Sequence, residues 1–299
     1  MPLLTTPIIA DTLSRLVQRG PGPRIASAVS FSEIPARTER ITIPTRHGDV
    51  PAVVYHPMTA DPEPSPVYVN FHGGGFVMRH PEQDDPLCRY LAARAGVIVV
   101  NVDYDLAPQL RFPGAVEEAY DVAQWAAQPE RPWDGKRLCV GGQSAGGALA
   151  AGAARLALEN HQPAIELQVL HYPPLDLATP GPDKHVAGKS IISAPMTQIL
   201  DTAYAPSLTA KHDRLASPAW GTNADAIEGI APALVITCEL DRLHDEGVRY
   251  ARKLETAGAL RQHVDLPGHD HGYNLLTADR DVIERNYALI AEHVRLTTA

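Results

Sequence analysis

Arg137-Leu138-Cys139-Val140-Gly141-Gly142-Gln143-Ser144-Ala145-Gly146-Gly147-Ala148-Leu149-Ala150-Ala151-Gly152 changes character in its middle. The apolar run 137–141 reads as a buried strand, and the small-residue stretch from Ala145 reads as a helix. At the junction, Gly142-Gln143-Ser144-Ala145-Gly146 fits Gly-x-Ser-x-Gly, a strand-to-helix turn tight enough to lift a serine hydroxyl clear of the sheet. Glycine at 142 and 146 removes side chains that would crowd such a turn. The Ala/Gly composition lets the helix approach the sheet closely. Its N-terminus points partial positive charge at Ser144. The five-residue pattern alone also fits an inert Gly/Ser/Ala turn; the strand before it and the helix after it favour a nucleophile.

Upstream, His72-Gly73-Gly74-Gly75-Phe76 directly follows the apolar run 67–71. Three glycines after a buried strand leave backbone N–H groups free to point into a cavity. With the N–H of Ala145, they suit a negative oxygen that develops during reaction. A phosphate loop is the rival reading, but Gly-Lys-Ser/Thr is absent and the glycine spacing is not that of a dinucleotide site.

A serine hydroxyl needs a base to take its proton, and after this kind of turn an acid and then a histidine follow in the chain. Asp241 lies just past the apolar run 233–238, at a strand's carboxyl end, and His271 lies in a loop before the last helical stretch. Each has rivals. Glu239 is nearer the strand, and Asp245 and Glu246 read as first-turn helix carboxylates steadied by the macrodipole. His269 competes with His271, and spacing alone does not separate them. The His269-Asp270-His271 run also suggests a metal site, but no third and fourth ligand stand at fixed spacing, so no metal and no cofactor is expected.

Further out, strands are expected at 39–45, 50–56, 67–71, 97–102, 137–141, 165–171, 233–238 and 262–266. The first two suit a hairpin. From 67 onward the runs are continuously apolar, as in strands covered on both faces. Helices are expected at 86–95, 115–127, 145–159, 245–257 and 279–296, which gives an α/β fold with a mostly parallel, doubly wound sheet. Residues 37–178 and 228–299 form this core. Two segments break the rhythm, 1–36 and 179–227; the second holds a helical stretch at 196–205. Long insertions in compact domains are usually functional or mobile, and together the two read as a cap. The Pro-rich stretch 61–66 reads as a loop.

The composition excludes several classes. The chain has 299 residues, 44% hydrophobic and 20% charged, enough for one large core. A net charge of −9 disfavours nucleic acid. No stretch approaches the ~18 apolar residues of a membrane span, and residues 1–19 lack the basic start of a secretory leader. Cys88, Cys139 and Cys238 are odd in number and widely spaced, which fits small buried hydrophobes in a reducing, cytoplasmic setting.

The ordered motifs resemble those of the hormone-sensitive-lipase-like, or family IV, carboxylesterases of the α/β-hydrolase superfamily. They are His72-Gly73-Gly74-Gly75-Phe76, then Asp103-Tyr104-Asp105-Leu106-Ala107-Pro108 with Phe112-Pro113-Gly114-Ala115, then Gly142-Gln143-Ser144-Ala145-Gly146-Gly147, then Asp241-Arg242-Leu243-His244-Asp245-Glu246-Gly247 with His271-Gly272-Tyr273. The resemblance covers nearly everything after Ile41. It implies an α/β-hydrolase fold of eight strands with a helical cap, and the triad Ser144, Asp241 and His271. It also implies oxyanion donors at Gly73, Gly74 and Ala145, a small-molecule ester as substrate, and in many relatives a homodimer through the C-terminal edge. Lactones, aryl acylamides and formamides suit the same triad. Plant hormone receptors of this family keep the pocket without the histidine, which here is present. The chain departs from the family in two places: Gln143 stands where Asp, Thr or Glu is usual, and in the 105–109 motif Asp105 and Gln109 replace the usual Arg and Glu. The second departure leads us to expect a rearranged ion pair near the site. With only four Phe and three Trp, the pocket is expected to be lined by Leu, Ile, Met and Tyr, and the cap to favour short or medium acyl chains; Met196, Ile199, Leu200 and Tyr204 recur at helical spacing, a stripe that core packing also explains.

Overall fold

Eight strands form a single sheet in the computed structural model, which describes residues 6–22, 25–58, 64–277 and 279–298. They are β1 (Arg37–Thr45), β2 (Gly48–His56), β3 (Pro66–Phe71), β4 (Ile98–Val102), β5 (Asp134–Gln143), β6 (Leu167–His171), β7 (Ala233–Cys238) and β8 (Leu260–Leu266). The order across the sheet is β1-β2-β4-β3-β5-β6-β7-β8. The β1–β2 hairpin pairs antiparallel and β2 joins β4 antiparallel, while every pair from β4 to β8 is parallel. The fold is thus the α/β-hydrolase architecture expected from the motifs.

Central strands are buried along their whole length, because helices cover both faces. Side chains of α3 (Gly114–Ala126), α4 (Ala145–Asn160) and α7 (His244–Thr256) belong to one apolar cluster. Those of α2 (Asp85–Arg94) and α9 (Arg280–Thr297) belong to the other. The three cysteines are buried and unpaired. Among the described residues no helix is long and apolar enough to cross a membrane.

The hydropathy pattern understates β5. It runs on through Gly142 and Gln143, which pair with Leu170 and His171 of β6, so the strand delivers its last residue directly to Ser144. Glycine and glutamine carry no hydrophobic signal, and only the neighbouring strand makes them β.

The two irregular segments contribute helices of their own. In the first, α1 (Pro7–Val17) packs on α5 (Ala194–Tyr204) of the second. Ser193 caps α5 by accepting the Met196 N–H at 3.3 Å, which starts the helix two residues before the expected 196. Of the stripe on α5, Tyr204 is buried and its ring stacks on Phe76 at 3.9 Å, so the helix is docked on the glycine loop. Two shorter helices, α6 (Leu208–His212) and α8 (Tyr273–Leu276), were not expected. Residues 1–5 and 23–24 of the first segment, 61–63 of the Pro-rich stretch, and 299 lie outside the described residues.

Candidate active site

Ser144 sits between β5 and α4 with φ 53° and ψ −125°, an uncommon backbone for a residue with a side chain. The turn is pinned by the Ser144 N–H, which donates to the His171 carbonyl at 2.8 Å, and by the Gly147 N–H, which donates to the Ser144 carbonyl at 2.9 Å. The helix start is wedged against the end of β3. A Cβ on Gly146 would lie 1.8 Å from the Phe71 carbonyl oxygen, and one on Gly142 would lie 2.2 Å from it. Backbone cannot step aside cheaply, so Gly146→Ala is expected to cost about 3 kcal/mol, the upper end for overpacking. Urea denaturation measures this; an unchanged midpoint would mean the turn has slack.

The glycine loop is held from below. His72 is fully buried, stacks on Tyr104 at 4.4 Å, and burial lowers its imidazole to about 4, so the ring is neutral. Its Nδ1 lies 2.6 Å from the Gly73 carbonyl and therefore carries the proton it donates there. Gln83 Nε2 donates to the same carbonyl at 2.9 Å. In a trans peptide the C=O and the following N–H point opposite ways, so fixing the Gly73 oxygen turns the Gly74 N–H away from these donors. Gly74 has φ +133°, and a Cβ there would meet the Met78 carbonyl at 2.4 Å, so only glycine fits. Ala145 is fully buried at the first position of α4, where helix geometry leaves the N–H without an intrahelical acceptor.

Asp241 follows β7 and is buried, with Oδ1 accepting the Leu243 N–H at 3.0 Å. Its Oδ2 lies 2.7 Å from His271 Nδ1, and His271 Nε2 lies 2.8 Å from Ser144 Oγ. Serine, histidine and aspartate, from three separate loops at the carboxyl edge of the sheet, therefore form one continuous line of hydrogen bonds. Such an arrangement can transfer a proton from hydroxyl to imidazole.

The rivals are occupied elsewhere. His269 Nδ1 faces the Pro267 carbonyl at 2.8 Å, and Glu239 accepts the Gly268 N–H at 2.7 Å. Asp245 pairs with His244 in the first turn of α7. Glu246 is in that turn too, but it is no solvated helix-end carboxylate: it is buried, bonds Lys184 Nζ at 2.6 Å, and accepts the Leu175 N–H at 2.8 Å. The ion pair expected around Asp105 takes the form of Arg79 lying 3.3 Å from both Asp103 and Asp105, while Gln109 trades amide hydrogen bonds with Gln18.

Directly behind the serine lies a buried polar network that sequence reading did not anticipate. Gln143 Nε2 donates to Asp84 Oδ1, and Asn70 Nδ2 donates to Asp84 Oδ2 at 2.8 Å. Gln143 Oε1 accepts from the Tyr172 hydroxyl and from Asn274 Nδ2, both at 2.7 Å. Burial lifts the Asp84 carboxyl to about 7, against the two amide donors that lower it. His171, whose ring is 4.3 Å from that of Tyr172, is kept neutral, its imidazole lowered to about 3 by burial and by His271 nearby. The only hint of this network in the sequence is the odd Gln143.

Ser144, His271 and the Gly73–Gly74 backbone border one cavity of about 340 Å³, together with Pro21 of the first irregular segment and Met196 and Leu200 of α5. Residues 68–275 match the family model described as the alpha/beta hydrolase fold. An ethyl acetate hydrolase of Pseudomonas putida is 35% identical over 260 residues, 84% of this chain and 80% of that one. Carboxylesterase NlhH of Mycobacterium tuberculosis is 34% identical over 75% of this chain and 71% of its own. A solved hyperthermophilic esterase from Pyrobaculum calidifontis is 33% identical, superposes with TM-score 0.81, and is covered over 99% of its length by all of this chain.

Proposed function

The chain belongs to the α/β-hydrolase fold family and is a carboxylesterase, a serine hydrolase acting on ester bonds, and we propose that Ser144, His271 and Asp241 carry its chemistry. The observation behind this reading is the imidazole of His271, within hydrogen-bond reach of Ser144 Oγ on one side and of Asp241 on the other. His271 takes the serine proton as Oγ attacks the ester carbonyl. Asp241 holds the ring in the Nδ1–H tautomer and stabilises the imidazolium. The N–H groups of Gly73, Gly74 and Ala145 receive the negative oxygen. His271 then protonates the leaving alcohol, and water, activated by the same imidazole, releases the acid. The supporting shell comprises His72 and Gly75 in the glycine loop, and Gly142 and Gly146, which let the serine turn close. No cofactor enters this scheme.

Residues 1–36 and 179–227 form a cap in this reading, since α1 and α5 pack together and both segments border the cavity. A cavity of about 340 Å³ is at the small end for ligand sites, which span about 300–1,000 Å³. The substrate class is therefore a small, largely apolar ester with a short or medium acyl chain. Turnover of p-nitrophenyl esters should peak between butyrate and octanoate and fall for palmitate; a palmitate ester hydrolysed fastest contradicts this. A fluorophosphonate should add to Ser144, located by peptide mass spectrometry. No adduct and no ester turnover together overturn the triad.

A further inference from the structure

The residues adjoining the proposed acid and base grip one strip of the cavity wall. Asp270 immediately precedes His271. Its Oδ1 accepts the His271 N–H at 2.7 Å and the Ser190 hydroxyl at 2.9 Å, and its Oδ2 accepts the Ile191 N–H at 2.6 Å. Arg242 immediately follows Asp241. Its N–H donates to Ser190 Oγ at 3.3 Å, and its guanidinium donates to the carbonyls of Ile192 at 2.7 Å and Gly181 at 2.9 Å. Ser190 Oγ thus donates once and accepts from both Arg242 and Ile192, whose N–H is 3.2 Å away. Between Gly181 and Ser190, the buried Lys184–Glu246 pair ties the strip to α7. Ile191 and Ile192 line the cavity that holds Ser144, and Ile191 is 53% exposed, at its mouth.

We propose that Asp270 is a positioning residue that couples the 190–192 wall of the ester pocket to His271, so that a substrate group pressed on Ile191 and Ile192 raises turnover as well as affinity. This rests on the triad reading above. The physical case is one of shared anchors. Before Asp270 the loop is tied by the Gly268 N–H to Glu239 and by the Leu240 N–H to the His269 carbonyl at 2.9 Å; just after His271, the Gly272 carbonyl accepts the Leu275 N–H at 2.9 Å and the Leu276 N–H at 3.0 Å of α8. At His271 itself, the backbone N–H is held by a carboxylate whose remaining bonds all go to Ser190 and Ile191. Moving the wall moves that carboxylate, and with it the imidazole that must span 2.8 Å to Ser144 and 2.7 Å to Asp241. Misplacement of a catalytic group by about 1 Å costs on the order of 100-fold in rate. Contact energy from a non-reacting acyl chain is in this way used in the transition state, which appears in kcat.

The test compares p-nitrophenyl acetate with the hexanoate, whose longer acyl chain extends further from Ser144 into the cavity, in wild type, Asp270→Ala, Ser190→Ala, Ile192→Ala and the Asp270→Ala/Ile192→Ala pair. Asp270→Ala is expected to lower hexanoate kcat by about 10- to 100-fold, with a smaller loss on acetate and the ratio of the two KM values kept. Ile192→Ala should lower hexanoate kcat in wild type and do nothing further once Asp270 is gone, as coupled sites do. Ser190→Ala should move kcat the same way while leaving the His271–Asp270 bond in place, and it carries the test if Asp270→Ala does not fold. Equal kcat losses on both esters, or Asp270 and Ile192 effects that simply multiply, overturn the coupling. A wild type that neither turns over ester nor takes up a fluorophosphonate overturns the triad reading instead.

Discussion

Asp241→Asn should lower kcat for p-nitrophenyl butyrate by roughly 10⁴-fold while leaving a folded protein. Asparagine is isosteric, and its oxygen can still accept the Leu243 N–H that Asp241 Oδ1 accepts at 3.0 Å. The group then facing His271 Nδ1 is an amide N–H, where a carboxylate oxygen stood at 2.7 Å. The ring answers by placing its proton on Nε2. That nitrogen faces Ser144 Oγ at 2.8 Å and now has a hydrogen where it needs a lone pair, so it cannot take the serine proton. The imidazolium formed during attack also loses its counter-charge. Ser144→Ala removes the nucleophile itself and should cost roughly 10⁴- to 10⁶-fold, leaving the rate that binding and the oxyanion donors supply. Because the three residues act as a unit, Ser144→Ala/Asp241→Asn should be no slower than Ser144→Ala alone. Steady-state kinetics with matched circular dichroism decide the matter. A loss below tenfold for either single variant sinks the assignment.

The line of three residues was legible in the sequence because each stands in a local pattern. Ser144 has glycines on both sides within a strand–turn–helix, and Asp241 comes three residues past a run of six buried residues, five of them apolar. His271 was separable from His269 only by family resemblance, since both stand in one short loop. The strands were legible for the same reason: continuous Val/Ile/Leu runs report burial on both faces. What stayed hidden is held by pairs far apart in the chain. Ser190 meets Asp270 across 80 residues, and Gln143 meets Asp84 across 59. No spacing rule links such positions. Glu246 looked like a helix-end carboxylate because its position in the first turn of α7 was visible and its partner, Lys184, was not. Helix α1 gives no such signal, since Pro7–Val17 lies in a segment with no β/α rhythm to bracket it and packs on α5, across nearly 200 residues of chain.

Gln143→Glu should destabilise the protein by about 3–5 kcal/mol at pH 8, the cost of leaving a buried charge without compensation. The family's usual acid at this position would face another acid here. Gln143 Nε2 donates to Asp84 Oδ1, whose other oxygen is already bonded to Asn70, so a glutamate oxygen would meet a carboxylate in a site closed to water. Two carboxylates in one site cannot both ionise cheaply, and one pKa must rise. The sign with pH follows. Asp84 in the folded wild type is at about 7 against a usual 3.8, so the folded state keeps a proton that the unfolded state releases. This group's contribution to stability therefore falls as pH rises from about 4 to about 7 and is flat above. With glutamate at 143 the higher of the two pKa values moves above 7, so stability goes on falling through pH 8 and 9. Adding Asp84→Asn should restore most of the loss. The amide nitrogen introduced at position 84 would donate to the glutamate, and the amide oxygen beside it would still accept from Asn70, which reverses donor and acceptor without leaving either unpaired. Turnover should follow stability, because the residue next to Asp84 is Gln83, whose amide holds the Gly73 carbonyl at 2.9 Å. Urea denaturation of the two singles and the double between pH 6 and 9 measures each step. A Gln143→Glu protein as stable as wild type at pH 8, or a double variant that recovers nothing, would show that Asp84 and residue 143 are independent.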